Sequence, residues 1–244
     1  MCFSDNVKLQ KDLHCKSGLQ NEWLCNLVIL KLKNCTLPCA LPSAILSLLK
    51  SLEELEVRDS ATVEVFFDMN DTEITEIAFR LKILTLKGLS RLTHVWEKKK
   101  NGVLIFPNLQ QVDVSNCENL QSLFPASVAK NLKSLKGLKI KSCDEFQEIV
   151  EKEEDTEAMF VLPCLEELYL YSLPQLTFFY PKPFILECPA LNILSVLDCE
   201  KLELFQSAHW KGEGTLGNRQ PLISSLEVSA HICNLKFFFP FYVY

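Results

Sequence analysis

Apolar residues recur along most of this chain in one fixed arrangement. An apolar residue is followed by two variable residues, an apolar residue, one variable residue, another apolar residue, two variable residues, and then cysteine or a substitute. The arrangement occurs eight times, and successive copies begin 25, 29, 28, 26, 30, 26 and 32 residues apart. Such regular spacing is not expected from scattered leucines, so the chain is predicted to be built from repeats.

The eight copies share four defining positions, three apolar and one cysteine-like. They are Leu27, Leu30, Leu32 and Cys35; Leu52, Leu55, Val57 and Ser60; Leu81, Leu84, Leu86 and Leu89; Leu109, Val112, Val114 and Cys117; Leu135, Leu138, Ile140 and Cys143; Leu165, Leu168, Leu170 and Leu173; Leu191, Leu194, Val196 and Cys199; Ile223, Leu226, Val228 and His231. In each copy the second and third apolar residues are two apart, which places both on one face of a strand. Each repeat therefore predicts one short parallel strand.

The segments between the strands are too short for long helices. Several also contain proline, namely Pro38, Pro42, Pro107, Pro125, Pro163, Pro174, Pro189 and Pro221. Proline favours turns over helix interiors. The predicted fold is an α/β solenoid of the leucine-rich-repeat type. It is a horseshoe with a parallel β-sheet on the concave face and mostly turns, 3₁₀ segments and short helices on the convex side.

The repeat pattern also suggests where the chain divides. Residues 1–26 are expected to be an irregular or partial N-terminal repeat, residues 27–233 a leucine-rich-repeat domain of about eight repeats, and residues 234–244 an apolar C-terminal tail. A solenoid usually closes with a polar capping repeat, whereas this tail would leave apolar residues exposed. The apolar ending therefore predicts a truncated chain.

Charge and cysteine content narrow the class of protein. With 25 basic and 31 acidic residues the net charge is −6, which disfavours general binding to nucleic acid or anionic lipid. Eleven cysteines without a secretory signal indicate reduced thiols and a cytoplasmic location. The most apolar run, residues 237–244, is short and contains Pro240, so no membrane insertion is predicted.

No cofactor or metal site is predicted. Residues 212–217 spell G-x-G-x-x-G, but the strand and helix that this dinucleotide motif requires are missing, and Pro221 follows closely. Cys35 and Cys39 are four apart, yet no second cluster offers the further ligands that zinc needs. The cysteines that share the last repeat position, Cys35, Cys117, Cys143 and Cys199, are expected to close the turn after each strand.

No catalytic residue is predicted, so the chain is not expected to be an enzyme. The four histidines lie in different parts of the chain, which gives a cysteine no evident partner. The acidic run at 151–157 lacks the alternating ligands and central glycine of an EF-hand loop. This run and the basic run at 98–100 are therefore interpreted as solvated loops.

The repeat register predicts which strand residues face outward on the concave side. The first row is Lys31, Glu56, Thr85, Asp113, Lys139, Tyr169, Ser195 and Glu227, and the second is Lys33, Arg58, Lys87, Ser115, Lys141, Tyr171, Leu197 and Ser229. Three stacked cations begin the second row, and like charges directly opposite one another are destabilising. The basic residues either keep the sheet soluble or form a docking strip for an acidic surface. The candidate protein-binding residues are Lys31, Lys33, Arg58, Lys87, Lys139, Lys141, Tyr169, Tyr171 and Leu197.

Four stretches of sequence carry a resemblance to a known family. They are residues 92–96 (LTHVW), 106–109 (FPNL), 115–129 (SNCENLQSLFPASVA) and 143–150 (CDEFQEIV). Together they resemble the leucine-rich-repeat region of plant coiled-coil nucleotide-binding disease resistance proteins, and the likeness covers most of residues 45–205. Neither the coiled coil nor the nucleotide-binding domain is present in this sequence, so nucleotide binding is not implied for it.

The resemblance implies a protein-interaction scaffold in plant innate immunity. Its partners would be the nucleotide-binding domain of its own or a paired receptor, which it would hold inactive, and a pathogen effector or host target protein. A general leucine-rich-repeat adaptor or substrate-recognition module without an immune role remains the alternative. Such an adaptor would be expected to carry an extra docking motif at one end.

Overall fold

The computed structural model describes residues 2–3, 22–36, 38–41, 43–46, 48–67, 76–96, 103–151, 159–177, 185–202 and 227–228. A nine-stranded parallel sheet runs through them. Its strands, in spatial and chain order, are β1 Cys2–Phe3, β2 Ile29–Lys33, β4 Glu54–Arg58, β7 Ile83–Lys87, β10 Gln111–Ser115, β12 Gly137–Lys141, β15 Glu167–Tyr171, β17 Ile193–Leu197 and β18 Glu227–Val228. The prediction of one parallel strand per repeat is confirmed.

The apolar repeat positions form the core beneath this sheet. In the first seven copies all four positions are buried, except Leu27 and Leu191, which are partly buried and pack against the same core. Each repeat stacks its apolar residues on those of its neighbours, so no repeat buries its apolar face alone. Stability therefore comes from the interfaces between successive repeats.

Each of the seven long strands is followed by one residue in the left-handed backbone conformation. These residues are Asn34, Asp59, Gly88, Asn116, Ser142, Ser172 and Asp198, with φ between 51° and 64°. Glycine, asparagine and aspartate tolerate this conformation best. The amide of each of the first six donates to the carbonyl of the last strand residue in the next repeat, as from Asp59 to Lys87 at 2.8 Å. The turn thus extends the hydrogen-bond ladder past the strand.

The predicted parallel-sheet solenoid with little helix is confirmed, and a second parallel sheet, which was not predicted, follows the first. Its strands are β3 Cys39–Leu41, β5 Val65–Phe67, β8 His94–Trp96, β11 Ser122–Pro125 and β13 Glu148–Glu151. Two further pairs are β6 Glu76–Ala78 with β9 Val103–Ile105, and β14 Met159–Val161 with β16 Ile185–Glu187. Helices are limited to α1 Glu22–Cys25, α2 Ser43–Leu46 and α3 Ala126–Ala129, and the described residues contain no 3₁₀ helix.

The second sheet arises because corresponding residues of successive repeats lie in register. Val95, Leu123 and Ile149 each occupy the second position of their strand and are buried. The preceding residues pair between repeats, His94 with Ser122 and Ser122 with Glu148. Backbone groups brought side by side by the stacking of repeats can pair as a ladder, which adds these short strands to the predicted turns and short helices.

An aromatic cluster fills the core beside the second sheet. The rings of Phe67 and Trp96 stack with centroids 4.7 Å apart, and the rings of Phe79 and Phe106 stack at 5.2 Å. The indole N–H of Trp96 donates to the carbonyl of Leu123 in the next repeat. Large rings combined with an internal hydrogen bond tie neighbouring repeats together.

The ends of the large sheet differ from the predicted register. Glu227 pairs with Ile193, whereas the repeat pattern placed it beside Ser195. A shift of two residues keeps the same side chains on each face, so the apolar pattern alone does not distinguish the two registers. At the other end, Cys2 pairs with Lys31 and adds a strand before the first predicted repeat. The predicted tail at 234–244, Ser229 and His231 lie outside the described residues.

Candidate protein-binding surface

The face of the large sheet opposite the core carries the two predicted rows of side chains. Pairing between consecutive strands aligns the first row from Lys31 to Ser195, for example Lys31 with Glu56 and Lys139 with Tyr169. The second row aligns in the same way from Lys33 to Leu197. Both rows are thus continuous over seven repeats. All nine candidate residues lie on this face.

The stacked cations at the start of the second row are neutralised by carboxylates. The ammonium nitrogen of Lys33 lies 3.5 Å from Asp59 Oδ2, and that of Lys87 lies 2.8 Å from Asp113 Oδ2. The guanidinium of Arg58 pairs with the carboxylate of Glu56. The predicted repulsion is therefore relieved by local ion pairs. Pairs exposed to solvent, like the first two, contribute only about 0.2–1 kcal/mol each.

Glu56 is the point on which the first repeats converge. Only 7% of the surface of Glu56 is exposed, although the sequence pattern placed this residue among the outward positions. Lys31 approaches it at 3.1 Å and also lies 2.9 Å from Glu54, while Arg58 covers it from the same strand. A nearly buried carboxylate needs such partners. The first four repeats consequently present a surface on which positive and negative charges cancel.

The fifth to seventh repeats differ, because the lysines on their strands have no carboxylate partner in the part of the chain that the structure describes. Lys139 and Lys141 are exposed, and neither forms an ion pair with any carboxylate that the structure describes. They align with Tyr169 and Tyr171, and Leu197 follows at 40% exposure. Unpaired charge beside aromatic and aliphatic side chains is the composition typical of protein-binding surfaces.

Tyr169 and Tyr171 are ordered by contact between their rings and by hydrogen bonds from their hydroxyl groups. Their ring centroids are 6.1 Å apart, and the Tyr171 hydroxyl donates to Ser195 Oγ at 3.0 Å. The Tyr169 hydroxyl donates to Glu167 at 3.4 Å. Desolvation and the charge of Glu167 raise the pKa of Tyr169, so its phenol stays protonated at neutral pH. Ordered rings lose little further entropy when a partner covers them.

Three lysines adjoining this surface were missed when the sequence was considered by itself. Lys130, Lys133 and Lys136 are exposed and lead from α3 into β12. With Lys139 and Lys141 they place a lysine at five positions within twelve residues. This spacing was a signal visible in the sequence, but only the strand positions were considered.

The cysteines at the last repeat position are buried free thiols. The sulfurs of Cys117, Cys143 and Cys199 each contact the carbonyl two residues earlier, at 3.6, 3.4 and 3.4 Å. A hydrogen bond with Cys143, together with burial, raises the pKa of Cys117. Burial raises the pKa of Cys199 to about 11. The hydrogen bond between Cys117 and Cys143 lowers the pKa of Cys143. The raised pKa values keep Cys117 and Cys199 protonated and therefore poor nucleophiles, which fits a structural role in the turn.

The other candidate motifs of the sequence lie largely outside the residues that the structure describes. The glycine motif at 212–217, the basic run at 98–100 and most of the acidic run at 151–157 lie outside the described residues. Within the described ranges, no group of three or more His, Cys, Asp or Glu side chains could hold a metal ion. No helix in that part of the chain is long and apolar enough to cross a membrane.

Comparison with known proteins adds the family. The family described as "Plant disease resistance protein RPS2-like, leucine-rich repeats" matches residues 2–144 and 132–212, which together span most of the 244 residues. This chain belongs to that family. Its repeats are thus of the plant disease resistance type, as the resemblance in sequence implied.

A curated plant protein is also similar to part of this chain. "Probable disease resistance protein At1g61300" from Arabidopsis thaliana is 38% identical over 99 residues. The match covers 40% of this chain and 12% of the relative, so the chain corresponds to a small part of that protein's length. No solved structure matches the chain.

Proposed function

We propose that this chain is a non-catalytic protein-interaction scaffold of plant innate immunity and works in the cytoplasm. It recognises an effector or a guarded host protein and restrains a nucleotide-binding switch domain. The observation that carries the proposal is the surface of the fifth to seventh repeats, where lysines without a carboxylate partner among the described residues lie beside ordered tyrosines in a chain of the disease resistance repeat family. The free, buried thiols support a reducing compartment.

The geometry of the sheet supports binding to a protein. Successive strands are about 4.8 Å apart and hold their outward side chains in fixed register, so a partner meets a preorganised surface several repeats long. Aromatic residues near the centre of such a surface commonly contribute most of the binding energy. Tyr169 and Tyr171 fit that description, since both are half-buried and held by hydrogen bonds.

Association with the isolated nucleotide-binding domain of a matching resistance protein tests the proposal. The full chain is expected to bind that domain, and Y169A/Y171A should weaken binding by at least about tenfold, since loss of a buried aromatic contact commonly costs 1 kcal/mol or more. Arg80→Ala, an exposed change away from both rows, is the matched control. Absence of binding to the domain, or equal binding by all three proteins, would contradict restraint through this surface.

A further inference from the structure

We propose that an extended acidic segment of a partner protein docks along the end of the fourth repeat and the strand of the fifth, on Lys130, Lys133, Lys136, Lys139 and Lys141. These five residues are called the lysine band. The inference deepens the proposed function and rests on it, because it names the chemistry of the partner that the same surface receives. The band begins directly after α3 and ends at the last residue of β12.

The first argument is that no carboxylate of the described residues neutralises the positive charges of the band. All five lysines are exposed, and none forms an ion pair with a carboxylate of the described residues. In the preceding repeats, by contrast, Lys31, Lys33, Arg58 and Lys87 all have carboxylate partners. Five positive charges within twelve residues of the chain repel one another. A negatively charged ligand removes that repulsion, whereas it would have to displace existing partners elsewhere on the face.

The second argument is the width of the strand portion of the band, Lys139 and Lys141, which occupies the single strand β12. On one side Lys139 aligns with Asp113, and on the other side it aligns with Tyr169. The amide of Glu166 donates to the carbonyl of Lys136, which places an acidic residue on the next repeat. Neither flanking strand, β10 or β15, carries a basic residue, so the strand portion of the band is not widened on either side. A narrow positive strip fits one extended chain better than a nucleic acid duplex.

The third argument is the spacing of the lysines on the strand. Lys139 and Lys141 are two residues apart on β12, which corresponds to about 6.6 Å along a parallel strand. Carboxylates at alternate positions of an extended peptide have the same repeat distance. A segment of the form acidic, variable, acidic therefore matches the strand portion of the band residue for residue.

The fourth argument favours a protein over phosphate-bearing ligands. The band contains lysine but no arginine, and arginine is the side chain whose planar fork matches phosphate oxygens in two places. Tyr169, Tyr171 and Leu197 border the band and offer contacts to an aromatic or aliphatic side chain of a peptide.

Fluorescence anisotropy with the full chain and a labelled octapeptide of alternating glutamate and valine tests this inference. The same peptide with glutamine in place of glutamate is the ligand control. K136E/K139E/K141E should weaken binding of the acidic peptide by about tenfold or more, since three charge contacts become repulsive. K50E/R80E/K201E changes the net charge equally at exposed sites outside the band and should leave binding within about twofold. Circular dichroism verifies folding, and K136Q/K139Q/K141Q replaces the reversal variant if that variant does not fold.

Several results would overturn the inference. They are equal loss of binding in both triple variants, equal binding of the glutamine peptide, and tighter binding of single-stranded oligonucleotide or phosphatidylserine vesicles than of the acidic peptide. Failure of this inference is distinguishable from failure of the proposed function. If the nucleotide-binding domain still binds K136E/K139E/K141E, the band is wrong and the scaffold stands. If only the peptide binds, and through the band, the restraint of that domain is wrong and the band stands.

Discussion

Ser60→Ala should destabilise the second repeat, because this serine performs the task that cysteine performs in four other repeats. Ser60 is fully buried, and its hydroxyl oxygen accepts the amide of Cys35 at 2.8 Å. The same hydroxyl donates to the carbonyl of Arg58 at 3.0 Å. Alanine would leave the Cys35 amide without its acceptor inside the first turn.

The expected cost follows from those two bonds. A buried donor left without a partner costs about 1–3 kcal/mol, so Ser60→Ala should lower the free energy of unfolding by about 2 kcal/mol. Ser60→Cys should cost less, about 1 kcal/mol, because a thiol still donates weakly to the carbonyl two residues earlier. Cys143 and Cys199 make that contact at 3.4 Å in their own repeats.

Denaturant unfolding followed by circular dichroism gives the change in stability. Hydrogen exchange of the peptide that contains Cys35 reports locally, which matters because neighbouring repeats of a solenoid need not unfold together. The control is Ser51→Ala, since Ser51 is only partly buried and forms no hydrogen bond to a described residue; it should change stability by less than about 0.5 kcal/mol. Equal stability of Ser60→Ala and the parent, or a Ser60→Cys variant less stable than Ser60→Ala, would refute the reasoning.

Two further predictions concern the turns and the thiols. Gly88→Ala should lower the free energy of unfolding by about 1–2 kcal/mol, measured by thermal or denaturant unfolding, because φ is +64° and the new Cβ would lie 3.0 Å from Asp59 Oδ1. Gly137→Ala only displaces the end of the Gln111 side chain and should cost clearly less. The reverse order of the two variants would contradict this reasoning. Burial raises the pKa of Cys188 to about 12 from an ordinary value of 9.0, so stability should fall as pH rises from 9 towards 12. At pH 9 on the order of a thousandth of this thiol is ionised when folded, and mass spectrometry should find slower alkylation of Cys188 than in urea.

Much of the large sheet could be predicted from residues near one another in sequence. The alternation in Leu30–Leu32 or Val112–Val114 selects a strand and its buried face, and the repeat spacing places equivalent residues side by side. The second sheet was not predicted, because strands such as His94–Trp96 are three residues long and gain their partners only through stacking. Short segments carry too little local pattern to indicate a strand.

The candidate surface was predicted in position but not in charge. The nine residues were placed on the correct face, yet whether a cation is free depends on side chains from other positions. Arg58 meets Glu56 of its own strand, and Lys87 meets Asp113 from the next repeat. Neither pairing follows from a list of outward positions, because long side chains reach residues on several strands.

The sequence by itself determined the repeat, the face that each strand residue takes and the family, since these depend on local alternation and on motifs repeated along the chain. Only the tertiary structure decided which charges are neutralised, how the last strand is registered and where the return segments become strands. Most of these features depend on distances between residues of different repeats, as between Lys31 and Glu56. Stacking of the repeats sets those distances, and a pattern read within one repeat does not contain them.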